Sequence, residues 1–518
     1  MASLIPARAR WRFLAKTAAA FGLAALADLL LFDVRAGSVL GLFAFAWAIV
    51  ATASQPALQR DKRAWGLLAL TALMAAALAY DPNWLAWLLF WSSLSMAVLV
   101  PRYAAFGDAW QWLRRLLLHG VTGPFVPLMD CLRIQRLKGR GGRLDIARYA
   151  AALVLPLVGG AVFLLLFAQA NPLISDALNQ VELPTLDGDT VFRVLFWVAA
   201  TVCVWASLRP RRSRLRPAPL QESGYSHLPG IGLASVTLSL VLFNALFAVQ
   251  NGLDLAVMFA GISLPNGLNY AEYAHQGAYP LIATAMLAGG FVLLTTRPGS
   301  PMAQSKWVRG LVIGWTAQNL VLVGFSIIRT LNYISAYSLT EMRIAALLWM
   351  GLIGLGLILI TLRMLTGRTS VWLINGNAAA AVLLLTGCSF ADLGEISARY
   401  NIRHARELGG KGVELDLCYI NRLGGSGLVP LAELQMRGDL QPGLKQRVDN
   451  VRQQILIDLL AEQADWRSWE WRNAIRLQRL PGNLRKASLI DFRDFGCGGA
   501  SLKAMTAAST ATPIDAED

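Results

Sequence analysis

Apolar residues gather into long uninterrupted runs, separated by short polar connections. The runs lie at 13–32, 36–54, 64–80, 83–101, 147–169, 190–208, 230–249, 277–296, 308–328, 344–362 and 371–389. Most are about 18–23 residues long, enough to carry an α-helix across about 30 Å of hydrocarbon. The pattern predicts an all-α protein, a polytopic helical membrane bundle of about eleven spans. After about residue 390 the long runs stop. Leu444, Val448, Val451, Ile455 and Leu459 then recur at intervals of three and four, the stripe of an amphipathic helix. Gly424-Gly425, Pro442-Gly443 and Pro481-Gly482 cut this tail into short helices. A small α-helical extramembrane C-terminal domain is expected there.

The organisation predicted has four parts. Residues 1–146 hold four spans and a basic loop, 147–390 a seven-span core, 391–502 the helical tail, and 503–518 an Ala/Thr/Ser-rich end expected to be disordered. Two stretches depart from simple spanning character. Gly252–Gly261 is apolar but too short to cross, and reads as a re-entrant or interfacial turn. Residues 103–120 place Phe106, Trp110, Leu113 and Leu117 on one helical face, which suits either a helix lying flat in the membrane interface or an amphipathic connector packed on the spans.

Charge then orients the spans. Of 518 residues, 55% are hydrophobic and only 15% charged, and the net charge is +15. The excess lies in every second loop. Arg8, Arg10 and Arg12 precede the first span, and Arg102–Arg148 carries nine basic against three acidic residues. The basic clusters at 209–216, 297–309 and 363–368 continue the alternation. Short arginine-bearing loops stay in the cytoplasm. The N-terminus is therefore expected inside, and an odd number of spans puts the tail outside, in the periplasm of a bacterial inner membrane. From Arg399 onward 17 basic residues meet 15 acidic ones, so no basic face is available for nucleic acid, and none is expected as a partner. Membrane lipids and an envelope protein are the partners expected. Inside the first span, Lys16 is expected to snorkel towards the cytoplasm and Asp28 to be solvated near the outer end.

Chemistry-bearing residues concentrate at two polar collars. The first carries Tyr270, Glu272, Tyr273 and His275; the second runs from Arg329 to Arg343. Glu272 and His275 are three apart and share a helical face. Arg329, Tyr333, Tyr337 and Glu341 are four apart in series and would line another, with Thr340 and Arg343 beside them. A fork-shaped cation, hydroxyls and a carboxylate suit an anionic headgroup, or a mate for Glu272. The same residues could equally form a structural clasp between spans. Cys418 and Cys497 could pair in an oxidising compartment, although spacing alone does not establish it.

Three segments also carry a resemblance. They are Tyr270-Ala-Glu-Tyr-Ala-His-Gln-Gly277, the whole of Arg329–Arg343, and Ala398-Arg-Tyr-Asn401 followed by Leu415–Gly424 and Val429-Pro430. Over roughly residues 145–440 they resemble DUF4173, a family of bacterial multi-pass membrane proteins of unknown function related to DUF4153. The resemblance implies a membrane architecture and no reaction. An arginine is expected where His275 stands, so a permanent cation becomes a titratable one.

Phosphate-cradling glycine loops, the Gly-x-Ser-x-Gly nucleophile motif and the His-Glu-x-x-His zinc motif are missing from the sequence, and four histidines show no ligand spacing. Neither a cofactor nor a metal is expected, and no catalytic residue is assigned. The leading expectation is a non-enzymatic protein that binds a ligand or partner at its outer face, for envelope signalling or assembly. A proton-coupled secondary transporter using Glu272 and His275 is the first alternative, and a membrane enzyme acting on a lipid-linked envelope substrate the second.

Overall fold

The computed structural model describes residues 7–130, 187–211, 232–259, 287, 290–291, 305–486 and 496–499. Among these, every regular element is a helix. The chain is an all-α helical membrane bundle. Eight described helices are long and apolar enough to cross a membrane, and Val39–Ala53 is a shorter apolar helix. The expected spans at 147–169 and 277–296, apart from the three helical positions 287, 290 and 291, lie outside the described residues.

In chain order the helices are α1 (Ala7–Leu31), α2 (Val39–Ala53), α3 (Pro56–Arg60), α4 (Lys62–Tyr80), α5 (Trp84–Leu99), α6 (Ala109–Thr122), α7 (Gly188–Leu208), α8 (Leu233–Phe259), α9 (Lys306–Tyr337), α10 (Glu341–Thr366) and α11 (Ser370–Phe390). The tail adds α12 (Leu393–His404), α13 (Leu417–Arg422), α14 (Gly425–Gln435), α15 (Pro442–Ala464) and α16 (Trp471–Arg479). The contacts divide into two units, one of residues 1–107 and 112–217, the other of 108–111 and 218–518.

The first unit holds α1, α2, α4, α5 and α7. Small residues let its helices approach: a Cβ on Gly41 would lie 2.3 Å from the backbone nitrogen of Ala79, so α2 and α4 require glycine there. Trp47 is buried among Phe43, Trp87 and Phe90, and its indole donates to Ser207 Oγ at 2.7 Å. Buried indoles need such a partner. One sequence expectation, the solvation of Asp28, is corrected. Lys16 donates to the Leu208 carbonyl at 2.7 Å, capping the end of α7. Asp28 is buried rather than solvated, because Arg193 on α7 donates to both its oxygens. Helix α6 presents Trp110, Leu113 and Leu117 to the surface, with Phe106 also exposed just ahead of it, while Arg115 and His119 are buried. Burial pushes the His119 imidazole down to about 4, and its ring stacks on Trp91.

In the second unit, the segment expected to turn at 252–261 instead continues α8 as one helix to Phe259. Backbone hydrogen bonds made within the helix suit any depth in the membrane, so a polar Asn251 or Asp254 is no reason to end it. The spans pack on Val236, Leu240, Val308, Val312, Trp315 and Leu357. Tail helices α12 to α15 enclose an apolar core of their own around Leu417, Ile420, Leu428, Leu431, Val451 and Leu456. The predicted stripe on α15 faces it: Val448, Val451, Ile455 and Leu459 are buried and Leu444 packs against them. Cys418 and Cys497 form a disulfide.

Candidate functional site: the cleft between the helix turn and the tail

The second collar is a sharp reversal between two spans. Helix α9 is 32 residues long, about 48 Å, and outruns the hydrocarbon. Its last turns carry Arg329, Tyr333 and Tyr337. Ser338 then adopts φ +70°, a conformation that non-glycine residues take only when their surroundings impose it. Thr340 caps α10, its hydroxyl accepting from the Arg343 amide at 3.4 Å. The single face expected to run from Arg329 through Glu341 is therefore broken. Glu341 begins a new helix, because the chain reverses at 338–340.

What holds the reversal is visible. Arg343 folds back, donating to the Tyr337 carbonyl at 2.6 Å and to the Ser338 carbonyl. These are the carbonyls left open at a helix C-terminus, where a cation is also favoured. Its guanidinium lies 4.1 Å from the Tyr333 ring centre, and Tyr333 packs on Tyr337 at 5.0 Å. From the tail, the Asn401 amide grips buried Leu339 twice: it donates to the carbonyl at 2.8 Å and accepts from the N–H at 2.7 Å. The Tyr419 hydroxyl accepts from the Glu341 amide at 3.0 Å and lies 3.1 Å from Ser397 Oγ. Three segments distant in sequence, 329–343, 398–401 and 415–424, thus meet at one place.

Beside the reversal is a small cleft of about 80 Å³. Ile334, Ser335 and Ser338 form one wall; Tyr400, Asn401 and His404 on α12 form another, and Lys411-Gly412-Val413 the third. The Tyr400 and His404 rings stack at 4.0 Å. The third wall depends on glycine. Gly409 has φ +83°, and a Cβ on Gly410 or Gly412 would come within 2.4 or 2.6 Å of the His404 backbone. The cleft offers an ammonium, an imidazole, hydroxyls and two aliphatic surfaces, and its volume of about 80 Å³ suits a small polar group of a ligand or partner rather than a whole enclosed molecule. Asp392, the N-cap of α12, anchors the wall formed by Tyr400, Asn401 and His404. Burial alone would raise its carboxyl pKa, but the charge and hydrogen bond of Arg476, with bonds from the Glu395 amide and Ser426, hold it below the ordinary carboxylate range.

The candidate residues fall into three groups. Tyr333, Tyr337, Thr340, Glu341 and Arg343 come together at the reversal. Arg329 points elsewhere, to a buried ion pair with Asp254 on α8. Tyr270, Glu272, Tyr273 and His275 lie outside the described residues, and so does any contact of Glu272 with Arg329.

A second polar feature escaped the sequence reading. Asn244, Asn251 and Asp254 form a stripe on α8 facing Gln318 and Arg329 of α9. Asn244 donates to the Leu311 carbonyl at 3.0 Å, Gln318 to Asn244 Oδ1 at 3.0 Å, and Asn251 to the Gln318 carbonyl at 3.1 Å. Each amide nitrogen is committed as a donor, which fixes the orientation of its oxygen. Asn251 Oδ1, Gln318 Oε1 and Asp254 Oδ2 are then buried acceptors without a hydrogen bond among the described residues. The spacing of seven and three within 244–254 was the available signal. Asn401, Tyr419 and Lys411 gave no periodic signal, because their partners lie on other elements.

These features define a multi-pass helical membrane protein whose tail closes over the turn between two spans. The family described as Domain of unknown function (DUF4153) matches residues 64–434, and the chain belongs to it. The match starts earlier than the resemblance at 145–440, taking in α4, α5 and α6. No curated protein matches the chain, and no solved structure does.

Proposed function

We propose that this protein recognises a ligand or envelope partner at the outer face of the bacterial inner membrane, for signalling or assembly, through the cleft at the second collar. One observation carries the reading: a small cleft of about 80 Å³ bearing Lys411, His404 and serine hydroxyls, beside an α9–α10 turn held in strained geometry. Strain that surrounding contacts sustain concentrates at functional positions. The Cys418–Cys497 disulfide suits an oxidising compartment, and with the arginine-bearing loops it favours a cytoplasmic N-terminus and a periplasmic tail. The collar motifs favour the DUF4173 branch, and the 391–502 segment acts as the external module. Tyr270, Glu272, Tyr273 and His275 of the first collar are assigned to the same recognition surface on their residue chemistry. The test is mass spectrometry of small molecules and cross-linked proteins copurifying with the wild type and with Lys411→Glu. A bound species depleted in the variant is expected; identical loads on both would sink the cleft as the binding site. A charge-reversal cycle at Glu272 and Arg329 tests the opposing collar, and zero coupling would remove it.

A second reading, proton-coupled transport, is supported by the polar stripe between α8 and α9, with its buried carboxylate Asp254. Proton-coupled flux in proteoliposomes should then fall with Glu272→Gln and with Asp254→Asn; unchanged flux in both variants would end it.

A further inference from the structure

Helix α16 is built inside out for a protein surface in water. Its buried side chains are Arg472, Asn473 and Arg476. Trp471 at its start is 53% exposed, and on the preceding turn Trp466 and Trp469 are 58% and 38% exposed. A helix against a water-soluble core turns its apolar side inward. Here the polar side is inward because each buried group has work there. Arg472 donates to the Phe390 carbonyl at 2.8 Å, Arg476 pairs with Asp392, and Asn473 donates to Glu470 at 2.6 Å. The tryptophans are held on a defined turn. The Arg467 amide bonds Asp465 at 2.9 Å, and the Ser468 hydroxyl bonds the Asp465 carbonyl at 3.2 Å.

The position of this face says what covers it. Phe390 is the last residue of α11, a spanning helix, so the Arg472 bond ties the start of α16 to the end of a span. That is the depth at which headgroups meet hydrocarbon. Indoles favour this layer because an apolar ring and an N–H are both satisfied there. Arg467 and Arg479, partly exposed on the same turn and helix, pair with Asp465 and Glu395, so the indoles and not net charge carry the attraction to lipid. We propose that Trp466, Trp469 and Trp471 insert into the headgroup layer of the membrane and hold the tail domain down on the lipid surface. This anchor does not depend on the cleft or on which side the tail occupies.

The test uses the full chain in vesicles of phosphatidylethanolamine and phosphatidylglycerol. Cys131, Cys203 and Cys388 are changed to serine, the 418–497 disulfide is kept, and a spin label is attached through Trp466→Cys, Trp469→Cys or Lys445→Cys. Lys445 is exposed near the other end of α15, about 30 Å along the helix from Trp466. Collision with oxygen should exceed collision with a water-soluble nickel chelate at 466 and 469, and the order should reverse at 445. Labels at 466 and 469 that behave like 445 would overturn the anchor. A second measurement leaves the tryptophans in place. The chain has 17 tryptophans, so emission is compared between wild type and a Trp466→Phe/Trp469→Phe/Trp471→Phe variant. The difference emission should be quenched by lipids brominated near the headgroup. Quenching by aqueous iodide alone would mean the face meets water, and protection from both quenchers would mean protein covers it; either result rejects lipid contact.

Discussion

Two aspartate–arginine pairs, Asp254–Arg329 between spans and Asp392–Arg476 in the tail, have the same chemistry and opposite surroundings. Both oxygens of Asp392 are used: Oδ1 accepts from the Glu395 amide at 2.9 Å, and Oδ2 from Arg476. Arg476 also reaches Ser426 Oγ at 2.8 Å. Asp254 accepts from Arg329 on Oδ1, while its Oδ2 is buried without a partner among the described residues. A buried pair embedded in further hydrogen bonds fixes geometry, and its loss leaves an uncompensated charge. A buried carboxylate with an open oxygen keeps capacity for another donor. The first is the behaviour of a structural clasp, the second that of a group available to a proton, a water or a ligand.

The comparison is broken most directly at its satisfied member. Arg476→Ala strands Asp392 under the tail, and a loss of about 3–5 kcal/mol is expected. Calorimetry of the purified full chain should show the tail transition falling sharply; a loss below about 1 kcal/mol would remove the clasp.

A buried ionisable group can also be tolerated by staying neutral, as His119 does. Its folded pKa is lowered to about 4, below its unfolded value, so the folded state resists protonation that the unfolded chain accepts. Its stabilising contribution is complete above about 6.5 and is lost as pH falls towards 4, by up to about 3 kcal/mol. Asp392, also depressed, loses its contribution only as pH falls below the ordinary carboxylate range, through its lowered pKa. Melting of wild type and His119→Phe between pH 7 and 4 separates the two. The slope between 6.5 and 4 should shrink in the variant, and an unchanged slope would refute neutral burial of His119.

Asp254→Asn should cost less, about 1–2 kcal/mol, because Arg329 lies near the end of an over-long helix and can turn towards headgroups. A cost equal to that of Arg476→Ala would erase the distinction between the pairs. The smallest effect is expected at Asp28–Arg193, where the arginine side chain is 60% exposed. Arg193→Lys should leave the thermal unfolding midpoint close to that of the wild type; a clear fall would make this pair a third clasp.

Among the described residues hydropathy located the spanning helices well and their ends poorly. Helix α9 was expected to stop at 328 and runs to Tyr337; α8 was expected to stop at 249 and runs to Phe259. Apolar runs report where lipid touches the chain, whereas a helix ends where its hydrogen bonds do. The second collar was legible as a cluster, since Tyr333, Tyr337, Thr340, Glu341 and Arg343 do gather. Its shape was not legible, because Ser338 is turned by Asn401 and Arg343, and Asn401 lies 62 positions from the Leu339 it grips. Trp466, Trp469 and Trp471 alternate with charged residues along the chain, a pattern that fits either burial in the small domain or contact with the membrane interface. They are exposed because Arg472, Asn473 and Arg476 take the inward positions.

The amino-acid sequence by itself determined the membrane class, the helical content and the alternation of basic loops. Each follows from local transfer energies summed along the chain, which need no knowledge of neighbours. Only tertiary structure decided that Arg329 meets Asp254, that a cleft opens beside the 338–340 turn, and which face of α16 turns inward. Those outcomes depend on partners brought together by packing, and a buried polar group is stable only beside the particular donor or acceptor that satisfies it.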